Sequence, residues 1–336
     1  METHYRSPWS GTLKPGWFRW VFTKFVFFLR HLTTWTQDPC CSLELTKLRR
    51  FFRVCKKIRP KSVDDVRVPF LAIVSPPSKH FSFEYCSLAS AFAQCPVFTI
   101  GADCHTCERM VVYFHGGGFI SGDLAGYSAL CEKLVLKLGF NTCIIFPQYP
   151  LAPCANLGKI FDTGFKILAW TASFSKQYVV MGDSAGGGLS LSAVQKICQS
   201  SMFKPSSLVM FSPLCNIDRE KLVFDNNDNF DVCLSSAVVR WSLQFGLNGG
   251  VVASQINPIN GPFFHLCKTM ILCSKDEVLH KDCVVLFDNC IKAGVMVRLV
   301  EHSSSIHACA LYSKLCPEGE MEICLATDFI LESLRT

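Results

Sequence analysis

Acidic residues are nearly missing from the first 61 positions. Only Glu2, Asp38 and Glu44 stand there, against 13 of the chain's 33 Lys and Arg. The remaining positions carry 20 basic and 24 acidic residues, so a basic amino-terminal arm is joined to a mildly acidic body. A body of that sign, without a recognition motif, argues against nucleic-acid binding. Low-complexity tracts and internal repeats are also missing, which excludes a disordered chain or a repeat array. The aromatic run Trp17–Trp35 is broken by Arg19, Lys24 and Arg30, so it lacks the roughly 20 apolar residues of an ordinary membrane span. Nor does Cys40-Cys41 offer the small residues of a signal-peptide cleavage site.

Cysteine is abundant, at 20 residues in 336, yet the residues are scattered through apolar stretches and form no disulfide pattern of a small scaffold. They are expected to be mostly reduced core residues. Cys104-His105-Thr106-Cys107 is the one C-x-x-C, and without a second ligand pair it reads as a β-hairpin turn before a strand at 110–114. No metal or cofactor is implied.

The length suits one large catalytic domain with accessory elements, and with 49% hydrophobic residues a sizeable core is available. Residues 1–65 are expected to form the basic, aromatic arm. Its segment Leu45 to Lys61 mixes eight Lys and Arg with Leu48, Phe51, Phe52, Val54 and Ile58. Such helices either lie in a membrane interface, here through residues 16–61, or pack on the body as a lid. The location of the chain is left between cytoplasm and a membrane surface such as the endoplasmic reticulum.

From about residue 66 to 336, short apolar runs alternate with helical stretches. Strands are expected at Phe81–Tyr85, Met110–Phe114, Asn141–Phe146, Tyr178–Met181, Ser207–Phe211, Thr269–Cys273 and Val295–Val300. Helices are expected near 125–138, 157–173, 185–199, 279–293 and 322–334. That alternation predicts an α/β fold, with a mostly parallel sheet and catalytic groups in loops at the carboxyl ends of its strands.

Two loops carry chemistry. Gly182-Asp183-Ser184-Ala185-Gly186 sits between an apolar strand and an apolar helix. Its glycines permit a sharp turn that lifts the Ser184 hydroxyl out of the sheet, at the positive end of a helix. His115-Gly116-Gly117-Gly118-Phe119 follows an earlier strand. The backbone N–H groups of Gly116 and Gly117, with that of Ala185, are expected to form an oxyanion hole.

HGGGF followed by GDSAGG resembles the hormone-sensitive-lipase-like branch of the α/β hydrolases, which includes arylacetamide deacetylases, fungal steryl acetyl hydrolases and bacterial esterases. The resemblance runs from about 108 to 330 and extends to Tyr149-Pro150-Leu151-Ala152-Pro153, to Asp162 and to Ser212-Pro213-Leu214. Cys154 and Gly188 depart from the family's Glu and Asn. The resemblance implies an α/β-hydrolase fold with a helical cap, placed at about 215–260.

A serine nucleophile needs a base, and the base an acid. In this fold they follow in the order Ser, acid, His, which leaves His302 and His307. His307, in Ser305-Ile306-His307-Ala308, takes the family's loop-to-helix position and is preferred. The acid follows the strand Thr269–Cys273 as Glu277, with Asp276 as the alternative; Glu277-Val278-Leu279-His280-Lys281-Asp282 fits the family's acid-x-Leu-x-x-Asp in register. The expected activity is hydrolysis of carboxylic esters, with short acyl or acetyl esters of lipophilic alcohols as the small-molecule substrates. The rival is a ligand-binding protein on the same fold. Plant gibberellin receptors resemble this branch but lack the histidine, which this chain has.

Overall fold

The computed structural model describes residues 40–56, 83–174, 176–218, 220, 222 and 226–335. The aromatic run Trp17–Trp35 lies outside them, as does 57–82 of the arm and its junction with the body.

Eight strands form one sheet in the order β1-β2-β4-β3-β5-β6-β7-β8: β1 Glu84–Tyr85, β2 Val97–Gly101, β3 Arg109–Phe114, β4 Thr142–Pro147, β5 Tyr178–Asp183, β6 Ser207–Phe211, β7 Lys268–Ser274 and β8 Val297–His302. From β4 to β8 every pairing is parallel, and β2 runs antiparallel to both β1 and β4. The seven expected strands are present within a few residues. β2 is an addition, and it corrects the turn reading of Cys104–Cys107. Those residues do turn, but β2 pairs with β4 rather than with β3, so no hairpin forms there.

Side chains alternate across the sheet with the period of two that a strand dictates. Met110, Val112 and Phe114 of β3, with Tyr178 and Val180 of β5, enter one core. Val111, Tyr113, Val179 and Met181 enter the other. Helices cover both faces: α2 Ser87–Ala93, α4 Leu157–Ala172, α5 Ser184–Cys198 and α8 His280–Lys292 over the first, α3 Leu124–Leu138 and α9 Pro317–Leu334 over the second. Local sequence sets their starts. Asp123 accepts the N–H of Gly126 ahead of α3, Asn156 that of Lys159 ahead of α4, and Pro317 occupies the first turn of α9. Most of the described cysteines are buried, where they act as small core residues.

Between β6 and β7 lie α6 Ser236–Gly246 and α7 Ala253–Ile256. A Cβ on Gly118 would sit 3.0 Å from Cβ of Ser242, so α6 packs against the glycine loop. The arm contributes α1 Leu43–Cys55. Its Leu45, Leu48, Phe51 and Phe52 are buried against Val232, Ile306, Cys309, Tyr312 and Cys316 of the body. Leu48, Phe51 and Phe52 of the proposed membrane-interface segment are thus turned onto the protein, while the side chains of Val54 and Ile58 lie outside the description. No described helix is long and apolar enough to cross a membrane.

Candidate active site

β3 and β5 lie side by side, but the chain leaves them in opposite directions, β3 toward β4 and β5 toward β6. A sheet opens a crevice at such a switch point, and the loops after β3 and β5 line it. The first is His115–Phe119; the second is the turn into α5, which begins at Ser184 itself.

Ser184 has φ +50°, in the left-handed region that ordinary side chains avoid. The turn is too tight for side chains beside it. A Cβ at Gly182 would run into the carbonyl of Gly186, and one at Gly186 would run into the carbonyls of Phe114 and His115. The departure at Gly188 has a similar cause: a Cβ there would strike the carbonyl of Leu214.

Two further loops converge on this turn. Leu214 donates its N–H to the carbonyl of Ser184 at 2.8 Å, and Ser212 Oγ accepts the N–H of Ala308 at 2.9 Å. One short segment after β6 therefore ties the serine turn to the residue following His307. Nδ1 of His307 lies 2.7 Å from Oε2 of Glu277, and the Glu277 side chain is 1% exposed. Oε1 of Glu277 accepts the N–H of Ser274. Because a carboxylate only accepts, Nδ1 carries the proton and Nε2 is left as the basic nitrogen. Burial alone would lower the pKa of His307, but the bond and charge of Glu277, with Asp231 and Asp183, hold it above the ordinary 6.5. The Ser184 hydroxyl is not hydrogen-bonded to His307 in this conformation, a common looseness of such contacts before substrate binds.

Asp276 pairs instead with Arg49 of α1 at 3.2 Å. His302, at the end of β8, faces Glu322 at 3.9 Å and does not meet Glu277. Asp162 forms a surface pair with Lys166 at 3.2 Å. Cys273 and Cys283 sit beneath Glu277, with one atom of each of the three within 4.8 Å of the others, a set whose carboxylate is already held by His307 and Ser274.

The glycine loop departs from expectation at Gly116. Its N–H donates to Oδ1 of Asp183 at 3.0 Å and to the hydroxyl of Tyr127 at 2.9 Å, so it does not face a substrate. Asp183 is fully buried and also accepts the hydroxyls of Tyr113 and Tyr127, each at 3.0 Å. Burial pushes its carboxyl up to about 6, while the two tyrosines, His307 and the Gly116 N–H pull the other way. Sequence reasoning missed this carboxylate as an organiser of the loop, although it stands inside the nucleophile motif. His115 supports the loop from below. Its Nδ1 donates to the carbonyl of Gly116 at 2.8 Å and its ring stacks on Tyr149 at 4.2 Å. Gly117, at φ +112°, and Gly118, at φ +63°, then turn the chain back.

A family model described as the alpha/beta hydrolase fold matches residues 111–311. An acetyl-hydrolase of Streptomyces hygroscopicus is 24% identical over 224 residues, 66% of this chain and 75% of that protein. The esterase LipU of Mycobacterium tuberculosis is 25% identical over 241 residues, 67% of this chain and 78% of that protein. Among solved structures, an esterase from the bacterial hormone-sensitive lipase family superposes with a TM-score of 0.79 at 20% identity, covering 89% of this chain and all of that one. With the sheet, the serine turn and the match over residues 111–311 in agreement, the chain belongs to the α/β-hydrolase fold family.

Proposed function

We propose that the chain is a serine hydrolase that cleaves carboxylic esters through an acyl-enzyme intermediate. Carboxylic ester hydrolysis is the coarse activity, in keeping with relatives named esterases and acetyl-hydrolases. The finer reading rests on one observation: the 2.7 Å contact of Glu277 with His307, tied through Ser212 to a serine on a strand-to-helix turn.

Ser184 attacks the ester carbonyl while Nε2 of His307 takes its proton. Glu277 holds the imidazole in the right tautomer and stabilises the imidazolium. His307 then protonates the leaving alcohol, and water repeats the sequence to release the acid. Negative charge on the carbonyl oxygen falls to the N–H groups of Gly117, Gly118 and Ala185. Ala185 lies in the first turn of α5, where backbone N–H groups have no partner within the helix. Gly118 takes the place expected of Gly116, whose N–H is engaged by Asp183.

Short acyl or acetyl esters of lipophilic alcohols are the proposed substrates. A p-nitrophenyl ester series of increasing chain length tests this, with Ser184→Ala as control. The expected result is highest kcat/KM on the acetyl to butyryl members and none above background in the variant. A wild-type protein that cleaves no member of the series favours the binding-protein alternative.

A further inference from the structure

Helix α1 belongs to the arm, outside the 111–311 match, yet its polar side chains reach the two loops that carry the acid and the base. The Arg49 guanidinium, 13% exposed, contacts the Asp276 carboxylate at 3.2 Å and donates to the carbonyl of Ser305 at 3.0 Å. Asp276 immediately precedes Glu277, and Ser305 lies two residues before His307. One side chain thus bridges both loops.

A second brace meets the acid loop from the other side. Lys56 Nζ donates to the carbonyls of Asp228 and Asp231, each at 2.6 Å. From that segment Asn227 donates to the carbonyls of Lys275 and Glu277, at 3.1 and 2.9 Å, and the Asp231 carboxylate accepts the N–H of Val278 at 2.9 Å. Both neighbours of Glu277 in sequence are fixed, one through Arg49 and the other through Asp231.

We propose that Arg49 is a positioning residue for the Glu277–His307 pair, and that α1 is in this way part of the catalytic machinery. The proposal rests on the triad reading above. The Arg49–Asp276 pair is partly buried, its side chains 13% and 28% exposed. Its effect is geometric: it fixes the spacing of two loops whose side chains must meet at hydrogen-bond distance. Both acceptors are met by one guanidinium nitrogen, Nη1, and a lysine keeps the charge but not the planar, pre-organised group that sets that nitrogen in place.

The test uses the full chain with Arg49→Met and Arg49→Lys, a short-chain ester, and the strongly downfield proton NMR signal of a His307 Nδ1–H bonded to Glu277. Arg49→Met is expected to lower kcat about 10- to 100-fold with KM within about threefold, the cost of a small misplacement of catalytic groups. The downfield signal should weaken or vanish with it, and Arg49→Lys should fall between Arg49→Met and the wild type. A folded Arg49→Met protein with wild-type kcat and an undiminished signal overturns the proposal, even if its Tm is lower. If Arg49→Met does not fold, Arg49→Lys decides: reduced kcat supports the bridge, and wild-type kcat overturns it. The signal reports on the Glu277–His307 pair whether or not ester is cleaved. A failure of the bridge is therefore distinguishable from a failure of the triad, which would appear as ester hydrolysis undiminished by Ser184→Ala.

Discussion

Gly116 donates its backbone N–H to the carboxylate of Asp183 at 3.0 Å, a bond from the glycine loop to the residue before the nucleophile. Through it, the loop after β3 and the turn after β5 are fastened together at their bases. The loop's next residues, Gly117 and Gly118, are left to approach a substrate.

Asp183→Asn should therefore disturb catalysis without touching Ser184, His307 or Glu277. Its amide keeps an oxygen for the Gly116 N–H but sets an N–H₂ group toward a hydroxyl that had a carboxylate to donate to. The expected loss in kcat is about 10- to 100-fold, from a shifted oxyanion loop. Steady-state kinetics on a short ester, with circular dichroism as a folding check, measure it. Unchanged kcat in a folded variant means the loop is held by other contacts.

Glu277 and Asp276 are adjacent in sequence but face opposite partners, His307 and Arg49. Glu277→Gln should cost about 10⁴ in kcat, the scale of a mis-set histidine tautomer. Asp276→Asn leaves the histidine's own partner in place and should cost far less. The pH profile adds a second readout. Neutral His307 is the active form, so the acidic limb of kcat/KM should lie above 6.5 in the wild type, where Glu277 holds the imidazole up against burial. In Glu277→Gln the residual activity should show that limb at lower pH, because the opposing charge is gone while burial remains. Equal losses in the two variants, or an unmoved limb, would reject the assignment of the acid.

Glu322 makes a prediction about stability rather than rate. It is buried on α9, accepts the N–H of Ala310, and burial pushes its carboxyl up from 4.5 to about 8. The unfolded carboxyl ionises first, so between pH 4.5 and 8 the folded state binds more protons than the unfolded one. This group's contribution is thus fully present below 4.5 and is lost as pH rises through about 8. In Glu322→Gln, Tm should depend less on pH across that window than in the wild type. Parallel Tm–pH curves for the two proteins would contradict it.

Much of this architecture is legible in the residues. Apolar runs located the six parallel strands, because a buried parallel strand has to be apolar on both faces; β1, at the end of the remaining run, is a short exposed edge strand. The candidate nucleophile and the candidate histidines are named from the order of motifs along the chain. Other features needed the third dimension. β2 carries a strand-like signal in Val97-Phe98-Thr99-Ile100, yet its antiparallel place against β4 depends on a pairing that sequence spacing does not specify. The choice between Glu277 and Asp276 depends on which way two neighbouring side chains leave a turn. Gly116 reads like its neighbours until the buried Asp183 is seen beneath it. Arg49 and Lys56 were part of a basic face, and nothing local reveals that their partners lie at Asp276, Ser305, Asp228 and Asp231.

The central claim, that Ser184 is a nucleophile activated by His307, is tested most directly by covalent labelling. The full chain is treated with a fluorophosphonate and its intact mass and peptide map are read. The account predicts one phosphonyl adduct, located on Ser184, formed slowly in His307→Ala and not at all in Ser184→Ala. An unlabelled wild-type protein that is folded, or an adduct that persists in Ser184→Ala, would contradict it.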